Sequence, residues 1–133
     1  MSDQLTGIVF AHAQVAQAFV AAVKAIAGEG HGLVPVSNEG CDRAQIQARL
    51  DEVIANRPAV VFADMPGGSC AFGAGAYART HDKVRVVTGV NLAMLLDFAF
   101  HRELSPAEAA TRAAETGRSS VAVLGGGAGS GGG

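Results

Sequence analysis

The sequence has few aromatic residues and little charge. Aromatic residues make up only 5% of its 133 residues and tryptophan is missing, whereas apolar residues reach 49%. A core must therefore be built mainly from Ala, Val, Leu and Ile side chains. The length supports one domain with a single core. The net charge of −2, with Lys and Arg scattered along the chain, provides no basic surface and argues against nucleic acid as a partner.

Cysteine is scarce, and the sequence shows no targeting signal. Cys41 and Cys70 have neither a metal-type spacing nor a Cys-x-x-Cys pattern, so no metal or cofactor is expected. Reduced thiols are the default for such a pair, with a packing role for Cys70. The first residues do not resemble a signal peptide, and no apolar window reaches the roughly 18 residues of a membrane span. We expect a cytoplasmic protein that is not inserted into a membrane.

Short apolar runs alternate with helical patterns along the chain. This alternation favours an α/β fold with one doubly wound, mostly parallel β-sheet and helices on both faces. The direction of the last strand does not follow from the pattern. Residues 1–124 are expected to form the domain, and the glycine-rich residues 125–133 a flexible tail. Strands are predicted at Thr6 to Ala11, Gly32 to Ser37, Ala59 to Ala63, Lys83 to Thr88 and Ser119 to Leu124.

A helix rich in small residues is predicted from Ser69 to about Thr80, and it contains two glycines. Gly73 and Gly75 each cost about 1 kcal/mol of helix propensity relative to alanine. Close packing against the sheet or a neighbouring helix is the explanation that we favour for both.

Polar residues follow two of the predicted strands and form the candidate site. His12 directly follows the first strand, and Asp64 directly follows the third and precedes Gly67-Gly68-Ser69. Parallel strands bring such ends to one edge of the sheet, where open α/β folds bind ligands. A carboxylate that holds one imidazole nitrogen leaves the other as a nucleophile, and amides at a helix start favour an anion. By position alone, His12 and Asp64 are equally compatible with helix or turn capping.

The order of four short motifs gives a more specific indication. The chain resembles the IIA component of the mannose-type sugar phosphotransferase system, a bacterial phosphoryl carrier, from Gly7 to Leu124. The motifs that carry this resemblance are His12, Asp64-x-x-Gly67-Gly68-Ser69, Gly89-Val90-Asn91 and Glu115-Thr116-Gly117-Arg118.

The resemblance implies roles for individual residues. The carrier protein HPr would phosphorylate His12 at Nε2, and His12 would pass the group to a histidine of a IIB partner. Asp64 would orient the imidazole through Nδ1, Ser69 would bond a phosphoryl oxygen, and the Gly67-Gly68 backbone would supply donors. A homodimer is implied, in which the last strand crosses into the partner's sheet and runs antiparallel. The motifs contain no Lys or Arg beside the histidine or the Gly-Gly-Ser turn, so neutral donors would hold the phosphoryl group loosely enough for release.

Two other functions fit parts of the pattern. A regulatory module could use a phosphorylated His12 to signal metabolic state without transporting sugar. A nucleotide or flavin binder fits less well, because no glycine-rich phosphate loop follows the first strand. The sequence also departs from the family pattern, with Ala11 and Ala13 beside the histidine and Cys70 where proline usually follows Gly-Gly-Ser.

Overall fold

In the computed structural model, residues 4–126 are described, and they form a four-stranded parallel sheet with helices on both faces. The strand order is β2-β1-β3-β4, so β1 and β3 are the two central strands. The elements are β1 (Thr6–Ala11), α1 (Val15–Ala27), a 3₁₀ turn (Glu29–His31), β2 (Leu33–Ser37), α2 (Arg43–Ile54), β3 (Ala59–Ala63), α3 (Ser69–Arg79), β4 (Val84–Thr88), α4 (Leu92–Ala99) and α5 (Pro106–Ser119).

Two apolar layers hold the helices against the sheet. The first contains Val9 and Phe62 of the sheet with buried residues of α1, α4 and α5, and Phe62 packs edge-to-face on Phe98 at 5.3 Å between ring centroids. The second contains Ile8 and Val61 with buried residues of α2 and α3. All side chains of β1 and β3 are buried, as expected for strands covered on both faces. The predicted doubly wound α/β fold is confirmed.

Side-chain caps fix where several helices begin. The side chains of Asp42 and Ser105 each accept a backbone N–H three residues on, and both form complete capping boxes. Asn91 caps α4 in the same way, through the Met94 N–H. None of the helices in residues 4–126 combines the length and apolar character needed to cross a membrane.

The predicted last strand does not form in this chain. Ser119 belongs to α5, and residues 121–125 have no regular structure and are exposed. A strand forms only when its backbone groups pair with a neighbouring edge, which strand propensity alone does not supply. The prediction of a strand over Ser119 to Leu124 is therefore wrong for the isolated chain. Most of the predicted tail, residues 127–133, lies outside the described residues.

The two glycines of α3 have different surroundings. A Cβ at Gly73 would lie 2.6 Å from Cγ2 of Ile46 in α2, whereas a Cβ at Gly75 would meet no atom within 4 Å. Close packing therefore explains Gly73, and the same explanation is wrong for Gly75. Helix propensity is the main effect left at position 75.

We expect opposite results from matched alanine substitutions at these positions. Gly73→Ala should lower the free energy of unfolding by about 1–3 kcal/mol through overpacking. Gly75→Ala should raise it by about 0.5–1 kcal/mol. Urea unfolding of the two variants measures both changes, and a stabilising Gly73→Ala would show that α2 and α3 can separate at little cost.

Candidate functional site

The parallel pairing of the two central strands brings His12 and Asp64 together. Phe10 of β1 lies beside Ala63 of β3, so both strands end at the same edge of the sheet. The backbone N–H of His12 donates to Oδ2 of Asp64 at 2.9 Å, and the ring Nδ1 of His12 lies 2.7 Å from the same oxygen. The sequence prediction that these two residues meet is confirmed by these contacts.

The carboxylate determines which ring nitrogen carries the proton. Burial alone would raise the pKa of Asp64, but the hydrogen bonds and charge interaction with His12 lower it below its usual value. Asp64 is therefore ionised near neutral pH, and its Oδ2 acts as an acceptor. We assign the imidazole proton to Nδ1, which donates to Asp64, and this leaves a lone pair on Nε2.

The free nitrogen faces the beginning of α3. A Cβ built at Gly68 would lie 3.7 Å from Nε2 of His12, so the backbone passes close to the ring. Gly68 has a φ of +93°, which favours glycine, and it is the N-cap of α3 without any side-chain cap. The first N–H groups of a helix have no intrahelical partner and favour an anion. Gly68, where α3 begins, thus lies beside Nε2, and 43% of the His12 side chain is exposed.

Ser69 is held by a residue that the sequence did not single out. Nδ2 of Asn38 donates to Oγ of Ser69 at 2.8 Å, and the Asn38 N–H donates to the carbonyl of Ala11. Asn38 follows β2, the neighbour of β1, so it lies at the same sheet edge. Only the order of strands in the sheet would have placed Asn38 at the site, and the hydrophobic pattern of the sequence does not give that order.

A groove beside Ser69 contains positively charged residues that the motifs do not indicate. Arg43 of α2 and Arg79 of α3 line a groove that Ser69 borders, together with the exposed Phe72. These residues are distant in sequence from His12 and Asp64. This groove carries positive charge, and it adjoins the site through Ser69.

Cys70 lies against the histidine. Its Sγ is 3.9 Å from Nδ1 of His12, and the side chain is buried. Burial, followed by the negative charge of Asp64, raises the pKa of Cys70 to about 12. The thiol is therefore protonated and a poor nucleophile in this state.

The other three histidines have local structural contacts. Nδ1 of His31 accepts the N–H of Leu33. The Nδ1 atoms of His81 and His101 lie 2.8 Å from the carbonyl oxygens four residues before them, as expected at helix ends.

A comparison with protein families identifies the class of this protein. A sequence model of the family described as the PTS system fructose IIA component matches residues 7–115, most of the chain. The chain belongs to this mannose-type IIA family. The resemblance indicated by the sequence motifs is thereby confirmed, and this IIA component has the phosphotransferase-type carrier role of its family.

Solved structures share the fold of this IIA component. The mannose/sorbose-specific IIA subunit of a phosphotransferase system from Enterococcus faecalis is 28% identical, with a TM-score of 0.85 over 92% of this chain and 96% of that one. The phosphotransferase component EIIA from Streptococcus agalactiae is 18% identical, with a TM-score of 0.82 over 90% and 96% of the two chains. A search of curated protein sequences finds no match.

Proposed function

We propose that this protein is a cytoplasmic phosphoryl carrier for sugar uptake. His12 accepts a phosphoryl group from phospho-HPr and passes it to a IIB histidine. Residues 1–124 act as the carrier domain, and no cofactor takes part. The observation that carries this proposal is the bond from Nδ1 of His12 to the ionised Asp64, which leaves Nε2 free at an open sheet edge.

Nε2 is the nucleophile in this reaction. Its lone pair attacks phosphorus of the phospho-HPr histidine, and the P–N bond of the donor breaks as the new one forms. The ring becomes more electron-poor as it bonds to phosphorus, so the charge of Asp64 on the opposite nitrogen stabilises the product. Asp64 thus fixes both the tautomer and the orientation of the ring.

The beginning of α3 receives the phosphoryl oxygens. Gly67 and Gly68 let the backbone approach Nε2, and the uncapped amides after them donate to the oxygens. The Ser69 hydroxyl, positioned by Asn38, adds a further donor. Neutral donors stabilise the group less than a charged clamp would, so it can leave again.

The carrier works as a homodimer in this proposal. β4 is an edge strand, and a groove between it and α5 is lined by Val86, Thr88 and Ala110. The residues after α5, which include Val121 and Val123, are apolar and exposed. A partner's segment of this kind, added antiparallel at β4, would cover both the edge and the groove.

Labelling with phosphoenolpyruvate, enzyme I and HPr tests the function. We expect one acid-labile, base-stable phosphoryl group on each chain, and no detectable label on His12→Ala because the nucleophile is removed. His101 follows α4, and its Nδ1 lies 2.8 Å from the carbonyl oxygen of Asp97, so His101→Ala serves as the matched control and should label like the unmodified protein. Equal labelling of His12→Ala would contradict the assignment.

A regulatory role would begin with the same phosphorylation. The two functions differ in the fate of the phosphoryl group, so adding a IIB domain to the labelled protein separates them. Rapid loss of label to the IIB histidine supports sugar transport, and retention of label supports the regulatory alternative.

A further inference from the structure

Three chemically different ligand atoms converge at the edge of the sheet. Nδ1 of His12, a carboxylate oxygen of Asp64 and Sγ of Cys70 all lie within 4.8 Å of one another. Cys70 and Asp64 are six positions apart and His12 comes from another strand, so no motif spacing in the sequence indicates this cluster. Packing of β1, β3 and the start of α3 creates it.

We propose that His12, Asp64 and Cys70 form a binding site for a borderline-soft divalent cation such as Zn²⁺. Imidazole nitrogen, carboxylate oxygen and thiolate sulfur are the ligands that Zn²⁺ takes, and three protein ligands with one open position make a common arrangement. One carboxylate and one thiolate also neutralise the two charges of the ion.

The observed distances are close to those of such a site. Sγ of Cys70 lies 3.9 Å from Nδ1, and Nδ1 lies 2.7 Å from Oδ2 of Asp64. Ligands on a tetrahedral zinc are separated by roughly 3.3–3.7 Å, given bonds of about 2.0–2.3 Å. Small side-chain rotations therefore bring the three atoms to bonding positions. Oδ1 of Asp64 is buried and has no hydrogen-bond partner among residues 4–126, so the carboxylate has a second oxygen to offer.

Metal binding rearranges the protons of the site. The Cys70 thiol releases its proton to solvent as the sulfur bonds to the ion. Nδ1 exchanges its proton for the metal, and the neutral imidazole then carries its proton on Nε2. No atom changes oxidation state. The nitrogen that is free in the metal-free protein becomes an N–H donor.

The shift of the proton to Nε2 makes zinc binding and phosphorylation of His12 mutually exclusive. This conclusion rests on the proposed function. An imidazole with a metal on Nδ1 and a proton on Nε2 has no lone pair for phosphorus. Zinc thereby inhibits phosphorylation by favouring the tautomer with its proton on Nε2, and it does not block the open face of the ring.

Calorimetry with Zn²⁺ and absorption spectroscopy with Co²⁺ test the site independently of phosphorylation. We expect one ion on each chain and a thiolate-to-cobalt band in the near ultraviolet. Cys70→Ala should lose that band and weaken zinc binding by at least the 10–100-fold that a lost supporting contact costs. Cys41→Ala is the matched control and should keep both signals. Equal binding by wild type and Cys70→Ala, or no binding by wild type, would overturn the proposal.

Labelling from phospho-HPr in the presence of zinc tests the consequence. Phospho-HPr is prepared and purified first, so enzyme I is absent when zinc is added, and each protein is compared with its own zinc-free rate. We expect stoichiometric zinc to stop labelling of the wild type and to leave Cys70→Ala at its own rate. Equal inhibition of both would contradict the tautomer argument. A wild type that binds zinc but never labels, even without zinc, would instead contradict the proposed function.

Discussion

Replacing Asp64 with asparagine should slow phosphoryl transfer to His12 by roughly 10²–10⁴-fold at saturating phospho-HPr. Rate losses of this size are typical when an enzyme loses an acid–base group or a carboxylate that orients a histidine. The amide oxygen can still accept the His12 N–H, but it carries no charge. The tautomer with its proton on Nε2 then becomes populated, and the phosphorylated ring loses its counter-charge.

One measurement and one control variant separate this effect from a general loss of structure. Nitrogen NMR of the His12 ring should show an unprotonated Nε2 in the wild type and a mixture of tautomers in Asp64→Asn. Asp51→Asn is the matched control, because Asp51 accepts a hydrogen bond from Tyr77 in the interface between α2 and α3. Transfer at the wild-type rate by Asp64→Asn, with the same tautomer, would remove the proposed role of the carboxylate.

Deleting the chain after Ser120 should convert the proposed dimer to a monomer. The deletion removes Val121, Val123 and Leu124, whose exposed fractions are 76%, 93% and 81% in the single chain. Without these side chains and their backbone groups, nothing remains to pair with the β4 edge of the partner. Sedimentation equilibrium at micromolar concentration should therefore give the mass of one chain.

A second deletion provides the control. Removing only residues 127–133 leaves the apolar segment in place and should preserve the dimer. The thermal midpoint should depend on protein concentration for this variant and not for the shorter one. A full-length protein that sediments as a single chain, or a dimer that survives deletion after Ser120, would contradict the proposed strand exchange.

The elements and the central pair of the site were predictable because their signals are local. Short buried apolar runs define β1 and β3 at the bounds predicted, and side-chain caps define the starts of several helices. His12 and Asp64 could be paired from the sequence because each follows a buried strand. The two residues meet only if these strands are neighbours in the sheet, and β1 and β3 are neighbours.

The features that sequence reasoning missed depend on which elements pack together. Asn38 reaches Ser69 only because β2 lies beside β1, and Arg43 shares a groove with Ser69 only because α2 packs on α3. Gly75 was misread because its helix position does not reveal whether a neighbour is close. The segment after α5 has the composition of a strand, but pairing requires an edge outside its own sequence.

The open position of the His12 ring has a kinetic consequence for the proposed carrier. The exposed fraction of the His12 side chain is 43%, and the residue directly follows β1, a central strand of the sheet. Water is then kept out during transfer only by the surface of whichever protein is docked. After the donor leaves and before the acceptor binds, the P–N bond is exposed to bulk water. The fraction of phosphoryl groups delivered is therefore set by the rate of acceptor binding relative to the rate of hydrolysis.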